Sequence, residues 1–149
     1  MSDKITYIGK IGFEPENVTR KHNAQASWKR VAMVFLDGEI TEYYCWYIQK
    51  RFNLTLNRPL RGAHISFIND SNHDLISKNN CTPKEANALW ERTKNKWDGV
   101  EIPIMLNLNP RFDKKHWWLN VHHDYRDRLQ GIRDELNLGK PYYGLHMSI

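Results

Sequence analysis

RPLRGAHIS occupies residues 58–66 and KPYYGLHMS occupies residues 140–148. Superposed without a gap, both read basic-Pro-x-x-Gly-x-His-x-Ser, one nine-residue pattern written twice in a chain of 149 residues. Around the first copy Ala63, Ile65 and Phe67 alternate with His64 and Ser66, so a strand here sends His64 and Ser66 to one face and the apolar residues to the other. Around the second, Leu145, Met147 and Ile149 alternate with His146 and Ser148 in the same sense. The repeat predicts two equivalent strands, each with a polar His-x-Ser face and an apolar face.

Outward from these strands the chain divides into recognisable pieces. Residues 1–30 read as polar and irregular, interrupted by Gly9, Gly12 and Pro15. Residues 31–36 form a short apolar run closed by Asp37-Gly38, as in a buried strand ending in a turn. Residues 41–52 are expected to form a helix capped by Thr41, the alternative being a strand, which their aromatic content would also suit. After the first motif, residues 69–82 are polar and turn-rich and predict a loop, either a lid over substrate or a passive surface segment. A helix over 83–97 follows, with Thr82 as cap, Pro83 at its first position and Glu85 completing a capping box. Strands are expected at 101–107 and 115–121, divided by Asn109-Pro110. A charged helix over 125–138 then presents Leu129, Ile132 and Leu136 on one side and stops at Gly139. Each motif strand thus comes after a helix. The expected fold class is α+β, a single domain over 1–149 built as two pseudo-symmetric lobes (about 1–68 and 83–149, joined by the loop 69–82), each a small sheet backed by helices.

Composition sets the class of partner. Hydrophobic residues make up 40% and charged residues 26%, as in ordinary globular domains. No apolar run approaches the roughly 20 residues needed to span a bilayer, so no membrane partner is expected. The start of the chain lacks a secretory pattern. Cys45 and Cys81 have no metal-type spacing and fit free thiols in a reducing cytoplasm. A formal charge of +5 favours a polyanionic partner such as a nucleotide or nucleic acid, the plain alternative being a basic protein whose charge serves solubility alone.

Two histidines at matched places in matched lobes suit one reaction well. In-line cleavage of a phosphodiester needs a base on the attacking oxygen and an acid on the leaving oxygen, and an imidazole of unperturbed pKa about 6.5 serves as either near neutrality. Ser66 and Ser148 lie two residues along the same strand faces, where their hydroxyls can donate to the non-bridging phosphate oxygens. No metal or other cofactor is needed. A zinc site is disfavoured because the two motifs supply two ligands and no further ligand has recognisable spacing. Pro59 and Pro141 stiffen the approach to each strand, and Gly62 and Gly144 leave room for a phosphate or a facing backbone. Arg58 and Lys140 head the repeats as candidate phosphate contacts or plain surface charges.

His64-Ile65-Ser66-Phe67 and His146-Met147-Ser148-Ile149 resemble the paired His-x-Thr/Ser-hydrophobic motifs of the 2H phosphoesterase superfamily. That superfamily includes RNA 2′,3′-cyclic phosphodiesterases and 2′,5′-oligoadenylate phosphodiesterases, and the resemblance extends over about residues 31–149. Both hydroxyl positions are Ser where Thr is commoner in the family, which keeps the donor and loses a methyl group. Relatives usually continue beyond the second motif, so the second half of the site is expected to have little chain behind it. Within the superfamily the chain is most similar to small 2H proteins of T-even-like bacteriophages, members of which are anti-CBASS nucleases that degrade the host's cyclic di- and trinucleotide signals. The resemblance implies small antiparallel sheets around a central cleft. It also implies metal-independent cleavage of 3′–5′ bonds in the host cytoplasm, with a ribose 2′-hydroxyl as internal nucleophile. It makes His64 and His146 catalytic, without saying which is acid and which base, and Ser66 and Ser148 phosphate-binding. Two rivals remain on the residues alone: an RNA-end or 2′,5′ enzyme using the same histidines, and a nucleotide-binding sponge without chemistry.

The remaining histidines, His22, His73, His116, His122 and His123, read as surface or structural. Six Trp and seven Tyr are chiefly core material. Tyr7, Phe13, Trp28, Trp118, Tyr142 and Tyr143 are the aromatics singled out as candidates to stack on nucleobases.

Overall fold

Residues 4–14, 29–56, 62–113, 116–141 and 144–149 are described by a computed structural model. Arg58, Pro59, Trp28, Tyr142 and Tyr143 lie outside the described residues. Among the described residues there are seven strands: β1 (Lys4–Phe13), β2 (Lys29–Phe35), β3 (His64–Ser71), β4 (Glu101–Asn107), β5 (Arg111–Phe112), β6 (Trp117–Asn120) and β7 (His146–Ser148). Four helices accompany them there: α1 (Glu39–Phe52), α2 (Asn72–Asn79), α3 (Pro83–Trp97) and α4 (His123–Glu135). The class is α+β, as expected. The strands join in one antiparallel sheet of order β4-β1-β2-β3-β7-β6-β5. At one end of the sheet Leu106 of β4 bridges Val121, and the His122 amide donates to Met105 O at 2.8 Å. The β4 edge therefore turns back towards the end of β6, and the sheet curls as a half-barrel.

One face of the sheet takes the helices. Ile65 and Phe67 of β3, Leu119 of β6 and Met147 of β7 share a core with Ile40, Tyr44 and Ile48 of α1, Ala86 and Trp90 of α3, and Leu129 and Ile132 of α4. Trp90 meets Phe13 at 5.1 Å, and Phe13 meets Phe67 edge-on at 6.4 Å, an arrangement worth about 0.5–1.5 kcal/mol per pair beyond area burial. The opposite face of β2 holds a small separate cluster of Val31 and Met33 with Phe35.

Several segments differ from the sequence expectation. Residues 4–13 are a full strand, not irregular chain. Its glycines permit close approach to β2: a Cβ on Gly9 would run into Val34, and one on Gly12 would come within 2.7 Å of the Phe35 ring. The loop expected over 69–82 is instead the end of β3 followed by α2. That helix is capped by Ser71, whose Oγ accepts from the Asp74 amide at 3.0 Å, ends on left-handed Asn80, and is anchored by buried Leu75. Helix α1 starts two residues before Thr41, with Asp37 Oδ1 accepting from the Glu39 amide at 3.0 Å; Thr41 is buried inside the helix. The Thr82–Glu85 capping box of α3 is present as expected. Helix α4 begins at His123 and ends at Glu135, where Asn137 turns left-handed (φ 55°) and the Leu138 amide returns to Arg133 O at 3.1 Å. The strand expected over 115–121 is the shorter β6, paired with the unanticipated β5. Among the described residues, no helix is long and apolar enough to cross a membrane.

Candidate functional site

The two copies of the motif meet. β3 and β7 are neighbours in the sheet, and Ile65 pairs with Met147, both fully buried on the helix side. Because side chains alternate, the same register carries His64, Ser66, His146 and Ser148 onto the opposite face. Extended by one residue each way, it sets His64 across from Ser148 and Ser66 across from His146. The two histidines are then diagonal neighbours, about 7–8 Å apart at the backbone.

Both rings are held in the same way. His64 Nδ1 lies 2.9 Å from Gly62 O, and His146 Nδ1 lies 2.7 Å from Gly144 O. A carbonyl oxygen only accepts, so Nδ1 carries the hydrogen in each ring. The neutral imidazole then has its lone pair at Nε2, the atom through which it takes up a proton. The carbonyl of the glycine in each copy of the pattern thus fixes the tautomer of the histidine two residues later. The copies differ in backbone, since Gly62 has φ +70° while Gly144 is not in the left-handed region, and a Cβ on either glycine would meet open space. Gly62→Ala is therefore expected to cost about 1–2 kcal/mol in denaturant unfolding, and Gly144→Ala close to nothing. Equal losses at both positions would contradict this difference.

β3 is not a regular strand beyond the site. Its register to β2 slips between Ala32 and Met33, which pair with Ile68 and Ser66, so Phe67 is the extra residue of a β-bulge. Phe67 and Ile68 both become buried, and the freed Phe67 carbonyl accepts from Arg133 Nη1 at 2.9 Å. Arg133 also grips Asp70 with two hydrogen bonds, at 2.7 and 3.0 Å, and donates to Leu138 O and Gly139 O. One buried guanidinium thereby joins β3 to the segment that leads into β7.

His146 stands between two clefts. One, of about 540 Å³, is lined by Trp118, Asn120, Arg111 and His116 together with His146. Trp118 meets the His146 ring edge-on at 6.1 Å, and its Nε1 donates to Asn120 Oδ1 at 3.0 Å. In the β6–β7 register Asn120 pairs with His146 and Trp118 with Ser148. The second cleft, of about 480 Å³, is lined by Ser66, Asp70, Arg133 and Gly144 on the other side of His146. Both volumes lie in the range of small-molecule sites.

The other candidates are placed as follows. Trp118 is at the site. Lys140 lies in a neighbouring cavity rather than beside the histidines. Phe13 is a core residue with its ring against Trp90 and Phe67, and so has no face to offer a base. Tyr7 is half-buried against the same core, on the helix side of β1. Burial raises its phenol pKa, with Asp37 and Glu39 adding to the effect. Asn120 and the exposed pair His116–Asp113 (3.2 Å), which line the larger cleft, are additions to the sequence reading. The alternation in Trp117-Trp118-Leu119-Asn120-Val121 is the signal that sets Asn120 beside Trp118. His122 is buried, and its ring lies 4.1 Å from that of His123. Among the described residues, no three His, Cys, Asp or Glu side chains gather as a metal-binding group. Comparison of the chain with protein-family models, with curated proteins and with solved structures finds no match in any of the three.

Proposed function

We propose that this protein is a phosphodiesterase that opens a 3′–5′ bond of cyclic di- or trinucleotides by two-histidine acid–base catalysis, without a metal ion. The observation that carries the reading is the equivalence of His64 and His146: adjacent antiparallel strands, one sheet face, and the same Nδ1–carbonyl bond two residues back. A phosphate seated between them has one Nε2 on the side of the attacking oxygen and the other on the side of the leaving oxygen. The first ring removes the proton of the nucleophile, a ribose 2′-hydroxyl or water, as its oxygen bonds to phosphorus; the second gives a proton to the departing oxygen. Ser66 and Ser148 donate to the non-bridging oxygens, where charge builds.

The two-lobe reading belongs with this function. The strand order supports it in part: β1-β2-α1-β3 and β5-β6-α4-β7 have the same sequence of elements and meet at the β3–β7 pair, while β4, from the second half of the chain, lies against β1 of the first. In the setting implied by the 2H resemblance, the substrate is a host alarm nucleotide and the reaction serves phage counter-defence against CBASS in the host cytoplasm.

A side-by-side turnover panel in excess EDTA tests the proposal, using a 3′,3′-cyclic dinucleotide, a nucleoside 2′,3′-cyclic phosphate and a 2′,5′-oligoadenylate. The cyclic dinucleotide is expected to yield linear product. Preference for either of the other two would make this an RNA-end or 2′,5′ enzyme. Loss of turnover on adding chelator would sink the metal-free mechanism, and binding without any product would identify a sponge.

A further inference from the structure

Beside the His146 clefts lies a third cavity, of about 360 Å³, between α4 and the chain approaching β7. His123, Arg126, Asp127, Lys140, Pro141 and Gly144 contribute to its wall. Pro141 and Gly144 also line the cleft that holds Ser66 and His146, so the two spaces share a rim. Gly144 is two residues from His146, which puts that rim within about 7 Å of the histidine backbone.

The cations of this wall are set apart by their place on a concave surface beside the His146 clefts; among the described residues Lys84 and Arg92 of α3 lack ion-pair partners too but line none of these three spaces. Arg30, Lys94, Lys96 and Arg133 each have a carboxylate partner. The side chains of Arg126 and Lys140 have no ion-pair or hydrogen-bond partner among the described residues; Asp127, the acid of the same wall, makes no ion pair with either. Against the single carboxylate of Asp127, the two cations leave the wall net positive and focus positive potential into the cavity. Guanidinium and ammonium groups there are suited to a phosphate.

We propose that this cavity is a second phosphate subsite, in which Arg126 and Lys140 hold the phosphodiester that is not being cleaved. The inference rests on reading His64 and His146 as the acid–base pair, because that reading seats the scissile phosphate beside His146, whose cleft with Ser66 shares the rim. It names the substrate class more closely. A cyclic dinucleotide has a second phosphodiester within reach of the first, whereas a single nucleotide has none to place there. Arg126 and Lys140 are thus specificity-determining residues for oligonucleotides over mononucleotides.

The test compares the affinity of the full chain for 3′,3′-cyclic di-AMP and for adenosine 3′-monophosphate by calorimetry, in a His64→Ala background that keeps the ligand intact. The double variant Arg126→Gln/Lys140→Gln is expected to weaken cyclic di-AMP binding on the order of tenfold to a hundredfold and to lower the salt dependence of binding. The monophosphate should bind as before. A control variant, Lys84→Gln/Arg92→Gln, removes the same charge from α3, which lines none of these three spaces. The subsite is overturned if cyclic di-AMP does not bind, if both ligands weaken alike, or if the control matches the double variant. Turnover measured in parallel on the chain with His64 intact separates the two ideas. A subsite effect without turnover would sink the phosphodiesterase alone, and turnover with affinity indifferent to Arg126 and Lys140 would sink the subsite alone.

Discussion

His146→Ala is expected to lower kcat on the cleaved substrate by about 10²–10⁴-fold, with substrate affinity close to that of the unaltered protein. The same loss is expected for His64→Ala. A proton in flight is an interaction made in the transition state, so its removal acts on kcat and spares ground-state binding. The fold should tolerate the change at position 146. The ring is half-buried, its hydrogen bond goes to Gly144 O, and its aromatic contact is the edge of Trp118; the neighbouring Met147 and Leu145 supply the packing. Steady-state chromatography of product, with the thermal midpoint as a check on folding, reads both quantities. The double variant should fall little below the worse single one, because acid and base act in one step. A drop in kcat below about tenfold for either histidine would remove it from the chemistry.

The parts of this molecule that were legible in the sequence are those governed by local pattern. Alternation about His64 and His146 survives as β3 and β7, and the Thr82–Glu85 box opens α3 where its residues ask for it. What was not legible depends on partners distant in the chain. Gly9 and Gly12 look like strand breakers until β2 is laid against them and the space taken by Val34 and Phe35 is known. Helix α2 is nearly all polar and is held by one buried leucine and a serine cap, so no periodicity announces it. The site divides in the same way. The repeat identifies the four His and Ser residues, but the Gly62 and Gly144 carbonyls that orient the rings emerge with the backbone path. In sequence, Asn120 is an ordinary amide, and Arg133 is one more charge on a charged helix.

Arg133 is where the largest loss of stability is expected. Its side chain is 1% exposed and donates to five acceptor atoms: two Asp70 oxygens and the carbonyls of Phe67, Leu138 and Gly139. Replacing it with methionine keeps much of the volume while taking the guanidinium from the Asp70 carboxylate and the Phe67 carbonyl; Leu138 O keeps Lys78 Nζ at 2.8 Å and Gly139 O keeps Gln130 Nε2 at 2.9 Å. Breaking one side of a buried pair in this way costs about 3–5 kcal/mol, or a fall in Tm of roughly 6–20 °C for a chain of this size. Arg133→Lys should recover only a minor part, since an ammonium is a point with three donors and cannot span both carboxylate oxygens and the carbonyls beyond them. Removing the stranded charge as well, in Arg133→Met/Asp70→Leu, should restore a measurable fraction, and the double-mutant cycle gives the coupling. The consequence reaches the site, because the Phe67 bulge follows directly on Ser66 while Leu138 and Gly139 precede the second motif. Variants that remain folded at assay temperature should therefore lose activity beyond their loss of folded protein. A single-variant cost under about 1 kcal/mol, the scale of an ordinary hydrogen bond, would show that this arginine does not tie the two halves together.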